Sequence, residues 1–235
     1  MYQSLGYLPR ILGIALFSAT LAAQAVEPVH LATHNQPPYG TYKTDGSFDG
    51  IAVQVVTCAL RAMGRTYKLE VFPWECAQML AEKGRVDGFF PATIKPERLV
   101  WADASQVIAE QKWVWYMPAG STLDPSSAQF KTDVKVGAHF GSNRLKMLEA
   151  GKYHVVFKPQ TDAALLEGFM LGRAQAILGG DLAIAAAMQE QHVDPHAFKT
   201  VVAQDSPLHA YFGHKFLQTE PDFLARFDAQ IAACR

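Results

Sequence analysis

Apolar residues recur along this chain in two rhythms, a spacing near four and short, almost unbroken runs. Ile51, Val55, Ala59 and Met63 stand four apart with Val56 and Leu60 beside them. That spacing predicts a helix over about residues 50–63 with one face buried. Gly64 sits where a left-handed residue closes such a helix at little steric cost. Val29–Thr33 and Gly88–Ala92 are apolar runs of strand length, and Tyr67–Phe72 alternates Lys68 and Glu70 against Leu69 and Val71. Glu75–Lys83 reads as a second helix, stopped by Gly84. The order β-α-β-α-β predicts a parallel sheet with helices on both faces. Sheets of this kind collect ligand-contacting groups beyond the carboxyl ends of their strands. Tyr39, Trp74 and Thr93 each follow a predicted strand and are expected at one rim.

The pattern then repeats. Gln111–Met117 predicts a strand with Trp113 and Trp115 on one face, which suits packing in a core or between lobes. Asp133–His139, Val155–Phe157 and Ala174–Leu178 read as strands; Arg144–Ala150, Thr161–Leu171 and Leu182–Gln191 read as helices. Ala210–Lys215 reads as a returning strand and Glu220–Ala233 as a terminal helix. Gly84-Arg85-Val86-Asp87-Gly88-Phe89-Phe90 is echoed by Gly172-Arg173-Ala174-Gln175-Ala176-Ile177-Leu178, each after a helix bearing Met and Leu. Asp87 is expected to cap or pair within its own turn. The expectation is an α/β chain of two lobes, each a mostly parallel sheet flanked by helices, with a cleft between them. Its division runs 1–25 leader, 26–107 first lobe, 108–210 second lobe, and 211–235 returning to pack on the first. The crossings are expected near residues 107–111 and 208–212.

The leader changes how the rest is read. Arg10 precedes the apolar stretch Ile11–Leu21, too short to span a bilayer, and Ala23-Gln24-Ala25 offers a small-x-small cleavage pattern. A secreted, periplasmic protein beginning near Val26 is therefore expected, without a lipid-anchoring cysteine at the cleavage point. Removing Arg10 from 21 basic residues leaves 20 against 22 acidic ones, a net charge of −2. With no basic run, a nucleic-acid partner is excluded from the expectation. Cys58, Cys76 and Cys234 allow one intramolecular bridge in an oxidising compartment, and all three pairings are open. Neither a metal nor a cofactor is expected. His30 and His34 would lie roughly 13 Å apart along a strand, and His192 and His196, around Asp194-Pro195, offer only a weak surface pair.

Several short motifs occur in a telling order: Pro37-Pro38-Tyr39 after the first strand, Gly50 opening the first helix, and Trp74 leading the second. Gly84-Arg85-Val86-Asp87-Gly88 and Pro96-Glu97-Arg98 before Ala104-Ser105 follow. In this order and spacing the chain resembles the type II periplasmic solute-binding proteins, specifically the family 3 group associated with polar amino-acid uptake. The resemblance implies that Arg98 clamps a ligand carboxylate, a task suited to the planar two-pronged guanidinium. It implies that Thr93 adds donors on the same turn and that Tyr39 and Trp74 form aromatic walls. It further implies that Gly141-Ser142-Asn143 closes over the carboxylate, with His139 and Phe140 on the same wall. The family's carboxylate partner for an α-ammonium falls at Gly180, with Asp181 one residue late, and Gln54 replaces an acidic residue in the first helix.

The function so implied is non-catalytic capture of a small carboxylate-bearing solute, an amino acid or analogue. A monomer would present it to an ABC permease or to a sensor domain of a signalling system. The rival is a secreted enzyme on the same fold, similar to cyclohexadienyl dehydratases that act on prephenate-like acids. Its acid or base would have to come from His139, His209, Glu75 or Asp181.

Overall fold

The computed structural model describes Met1 and residues 27–235, so the expected leader lies, Met1 apart, outside the described residues. The first lobe opens with strand β1 (Val29–Thr33), a small β2–β3 hairpin (Thr41–Tyr42, Phe48–Asp49) and helix α1 (Ile51–Ala62). It continues through β4 (Tyr67–Val71), α2 (Trp74–Glu82), β5 (Gly88–Ala92), the single turn α3 (Pro96–Leu99) and β6 (Ala102–Ala109). The second lobe holds β7 (Lys112–Pro118), α4 (Ala128–Asp133), β8 (Val136–Gly137), α5 (Asn143–Ala150) and β9 (Val155–Phe157). It is completed by α6 (Asp162–Met170), β10 (Ala176–Gly180), α7 (Asp181–Glu190) and β11 (Phe198–Asp205). The chain then returns through β12 (Leu208–Gly213), α8 (His214–Thr219) and α9 (Phe223–Cys234).

Two five-stranded sheets result, ordered β4-β1-β5-β12-β6 and β11-β7-β10-β8-β9. In the first, β4, β1 and β5 run parallel, while β12 lies antiparallel to both β5 and β6. In the second, β10, β8 and β9 run parallel, and β7 and β11 complete the sheet in antiparallel pairing. The chain therefore crosses between sheets twice, at residues 110–111 and at 206–207. Strand β6 ends two residues beyond the division read at 107, and β12 starts three residues before 211, because Leu208 and Ala109 pair in register.

Local chemistry explains the elements. Helix α1 buries Val55, Val56, Ala59 and Leu60 against α9, whose Phe223, Phe227 and Ile231 fill the same core. Gly50 lets α1 start against the Pro38–Tyr39 turn, where a Cβ would lie 2.6 Å from the Pro38 carbonyl oxygen. Cys58 on α1 and Cys234 on α9 form the disulfide, Cα–Cα 5.8 Å, so the returning segment is covalently pinned to the first lobe. Cys76 remains a free thiol. Asp87 does not close its own turn: its carboxylate accepts the His30 backbone N–H at 2.8 Å, tying the end of α2's loop to β1. On β7, Trp113, Trp115 and Met117 enter one core of the second lobe and Val114 and Tyr116 the other, as period two requires.

Candidate functional site

The carboxyl ends of both sets of parallel strands face a cleft of about 1220 Å³, lined by residues of the two lobes and of the crossing segments. Such a volume exceeds that of ordinary small-ligand pockets, leaving room for a solute and water.

On the first lobe, β1 delivers His34 and α2 delivers Trp74. Their rings lie 4.4 Å apart and tilted. His34 Nε2 faces the Gln36 amide oxygen at 2.9 Å and so carries the ring proton; Nδ1 is a buried lone pair with no partner. Burial, assisted by the nearby positive charge of Arg98, pushes His34 down to about 4, so the ring is neutral near pH 7. Thr93 follows β5 and lines the cleft, half-buried. Arg98 does not reach the lining. Its side chain is 4 % exposed, lies 5.1 Å from the Trp74 ring, donates through Nε and Nη2 to Gln78 Oε1 (3.0 and 2.7 Å), and through Nη1 to the Thr93 carbonyl (2.7 Å). It forms no ion pair with Glu97 or Asp103 and is closed to solvent. The fork expected for a ligand is folded onto a side-chain amide, directly behind Thr93.

Tyr39 is also placed away from the lining. Its ring is fully buried in the core of the first lobe because β2–β3 and the start of α1 wrap around it. Its hydroxyl donates to the Glu110 carbonyl oxygen at 3.1 Å, at the first crossing, and burial pushes its ionisation upward. The exposed Tyr42, three residues further on, lines the cleft instead.

On the second lobe, Ser142 caps α5: its hydroxyl accepts the Leu145 N–H at 3.1 Å, while the Asn143 and Arg144 N–H groups are the open donors of the first turn. His139, Phe140, Gly141, Ser142 and Asn143 all line the cleft, as the sequence placed them together. Sequence reasoning missed the two charges at their centre. Arg144 (6 % exposed) donates through Nη2 to both oxygens of Asp162, at 3.0 and 3.3 Å. Asp162 opens α6 and also meets His139 Nδ1 at 3.2 Å. Burial would raise Asp162, but Arg144 and His139 hold its carboxyl below the usual range, and it is ionised. A signal existed: Thr161-Asp162 begins a helix directly after a strand, so its first turn had to face the rim.

The crossing segment supplies Gln111 and Trp113. The indole N–H of Trp113, a donor only, points at Gln111 Oε1 (3.2 Å), so the amide NH2 faces away from it; that Nε2 is buried without a partner. Gly180 ends β10, and a Cβ built there would lie 3.4 Å from Arg144 Nη1 and 3.7 Å from Gln111 Nε2. Asp181 turns aside and accepts the Lys112 backbone N–H at 3.1 Å. At the mouth, Lys146 of α5 reaches across to Glu75 of α2 at 2.8 Å, a bond between the lobes. Among the described residues no cluster of three or more His, Cys, Asp or Glu is placed to hold a metal ion.

Among the described residues four buried side-chain polar atoms thus lack partners, and three of them (His34 Nδ1, Gln111 Nε2 and Arg144 Nε) belong to residues lining this cleft. Buried polar groups in folded proteins are almost always satisfied, by protein, water or ligand.

The model of the bacterial extracellular solute-binding proteins, family 3, matches residues 29–235. Among solved structures the chain is similar to a histidine kinase sensor domain with similarity to periplasmic binding proteins (17 % identity, 88 % of this chain and 89 % of that one, TM-score 0.71). It is similar to the arginine-, lysine-, histidine-binding protein ArtJ from Geobacillus stearothermophilus (16 % identity, 88 % and 89 % covered, TM-score 0.69). A third likeness is to an ABC uptake transporter substrate binding protein from Streptococcus pneumoniae with bound histidine (15 % identity, 88 % and 86 % covered, TM-score 0.69). At these identities the likeness establishes the two-lobed fold. No match is found among curated proteins.

Proposed function

The chain belongs to the family 3 extracellular solute-binding proteins, and we propose that it captures a small carboxylate-bearing solute, an amino acid or analogue, in the periplasm. The observation that carries this reading is the set of unpartnered, buried polar atoms around a large cleft between two lobes. A bound solute would satisfy them, and lobe closure would exclude the water that competes for them. On this reading the carboxylate would lie between the Thr93 hydroxyl and the open N–H groups at the start of α5, where the helix dipole favours an anion. Arg98 stands behind Thr93 and either sets that turn through the Thr93 carbonyl or exchanges Gln78 for the ligand. Trp74 forms the apolar wall. The closed form is handed to an ABC permease or read by a sensor domain; the neighbours at similar TM-score include one of each kind.

The second reading, a secreted enzyme, rests on the His139–Asp162 pair at the cleft wall, 3.2 Å apart, an imidazole oriented by a carboxylate. A thermal-shift screen of residues 26–235 against amino acids, organic acids and polyamines tests both. A solute at 100 times its Kd stabilises the folded chain by about 2.7 kcal/mol, and mass spectrometry of the incubated solute shows whether it is returned intact. A melting shift with intact solute supports capture; a chemically altered solute supports the enzyme and refutes capture alone.

A further inference from the structure

At the β10 end of the cleft the wall offers hydrogen-bond donors, and its two nearest carboxylates are already paired. Arg144 uses one of its three nitrogens on Asp162; its Nε is buried without a partner. Gln111 presents an unpartnered NH2, its oxygen being held by the Trp113 indole. Arg144 Nη1 and Gln111 Nε2 converge on the space beside Gly180, 3.4 and 3.7 Å from where a side chain there would begin. The two nearby carboxylates are committed elsewhere. Asp162 accepts from Arg144 and His139, so its charge is met by the guanidinium, and Asp181 accepts the Lys112 backbone N–H outside the lining. An ammonium brought here would face a guanidinium and an amide NH2. An oxygen acceptor would satisfy both.

We propose that the solute is an organic acid carrying an oxygen acceptor, an oxo group or a second carboxylate, where an amino acid carries its ammonium. This rests on the capture reading above and names the class of solute within it. Arg144 and Gln111 hold that oxygen, and Gly180 leaves the space for it. The second lobe thereby discriminates against amino acids by presenting unsatisfied donors to a group that is itself a donor.

The test titrates the mature chain calorimetrically with matched pairs sharing one carbon skeleton: L-alanine and pyruvate, L-glutamate and 2-oxoglutarate, L-phenylalanine and phenylpyruvate. The 2-oxo acid is expected to bind at least tenfold more tightly than its amino acid in any pair that binds. Gly180→Asp supplies a carboxylate at an unstrained backbone position (φ −78°) facing a flexible guanidinium tip. It is expected to weaken the oxo acid at least tenfold and to narrow or reverse the preference. Gln111→Leu, which removes one donor and leaves the Arg144–Asp162 pair intact, is expected to weaken the oxo acid severalfold with a smaller effect on the amino acid. A wild-type preference for the amino acid overturns this inference and leaves capture standing, with Asp162 then reading the ammonium. An unchanged preference in both variants also overturns it. Binding of no member of any pair, with no melting shift in the wider screen, overturns capture as well.

Discussion

Lowering the pH from 7.5 to 4 should destabilise this protein through one buried ring, His34. The folded chain keeps that imidazole neutral: burial beside Trp74 is the main cause, Arg98 and His139 disfavour a second charge nearby, and only the Gln36 hydrogen bond favours the proton. Its pKa falls from 6.5 to about 4. In the unfolded chain the same ring takes up a proton below pH 6.5; in the folded chain it does not until about pH 4. Stability is therefore complete above pH 6.5 and drains away as the pH falls, since the unfolded state binds more protons across that window. A difference of 2.5 units corresponds to about 3 kcal/mol, a large share of the roughly 5–15 kcal/mol that holds a domain together. Urea unfolding midpoints at pH 7.5, 6, 5 and 4, for the wild type and His34→Leu, isolate the term, because carboxylates such as Asp162 contribute equally to both. The wild type should lose about 3 kcal/mol more than the variant across the series. Parallel curves, or an NMR titration of the His34 ring near 6.5 in the folded protein, would refute the reasoning.

Three further outcomes are expected. Breaking the Cys58–Cys234 bridge, by reduction or by a Cys58→Ser/Cys234→Ser double variant, opens a loop of 176 residues; chain entropy sets the loss near 5 kcal/mol, read as a lower urea midpoint, and an unchanged midpoint would contradict it. Asp162→Asn leaves the Arg144 guanidinium buried without its counter-charge, so a loss of about 3–5 kcal/mol is expected in the same assay, whereas a neutral change would mean that water already serves Arg144. Glu75→Gln removes the exposed bond to Lys146 between the lobes. It should cost under about 1 kcal/mol of stability while widening the solute-free chain in small-angle scattering at low salt, and identical scattering profiles would refute its role as a contact holding the lobes together.

The first lobe was legible because its signals are local and strong. The fourfold spacing of Ile51–Met63, Gly64 in the left-handed region (φ 70°) and the unbroken apolar run Gly88–Ala92 each specify one conformation. Where periodicity is weak, the sequence does not mark the element. Phe198–Asp205 (FKTVVAQD) lies at the edge of its sheet, largely exposed, so few apolar residues mark it as the strand β11. Asp133–His139 shrank to Val136–Gly137, its first residue being taken by the helix Ala128–Asp133 that Ser127 caps. The site followed the same rule. Ser142, Asn143, His139, Trp74 and Thr93 sit at element ends, and topology alone brings them together. Arg98 was located by motif, but its partner Gln78 is twenty residues away on another helix, a pairing that no spacing reveals. Tyr39 shows the limit from the other side: a tyrosine in a Pro-Gly loop reads as exposed, yet the hairpin folds over it and its hydroxyl becomes a fastener at the crossing. Arg144 and Asp162 were missed for a related reason. A charged residue in a helical first turn is ordinarily solvated, and only the tertiary fold makes this pair buried.

Capture without turnover is tested most directly by calorimetric injection of carboxylate solutes into residues 26–235, followed over time. The prediction is a saturable heat at one solute per chain that returns to baseline after each injection, with the solute recovered unaltered. A heat that continues at constant rate, or none from any carboxylate, would contradict it.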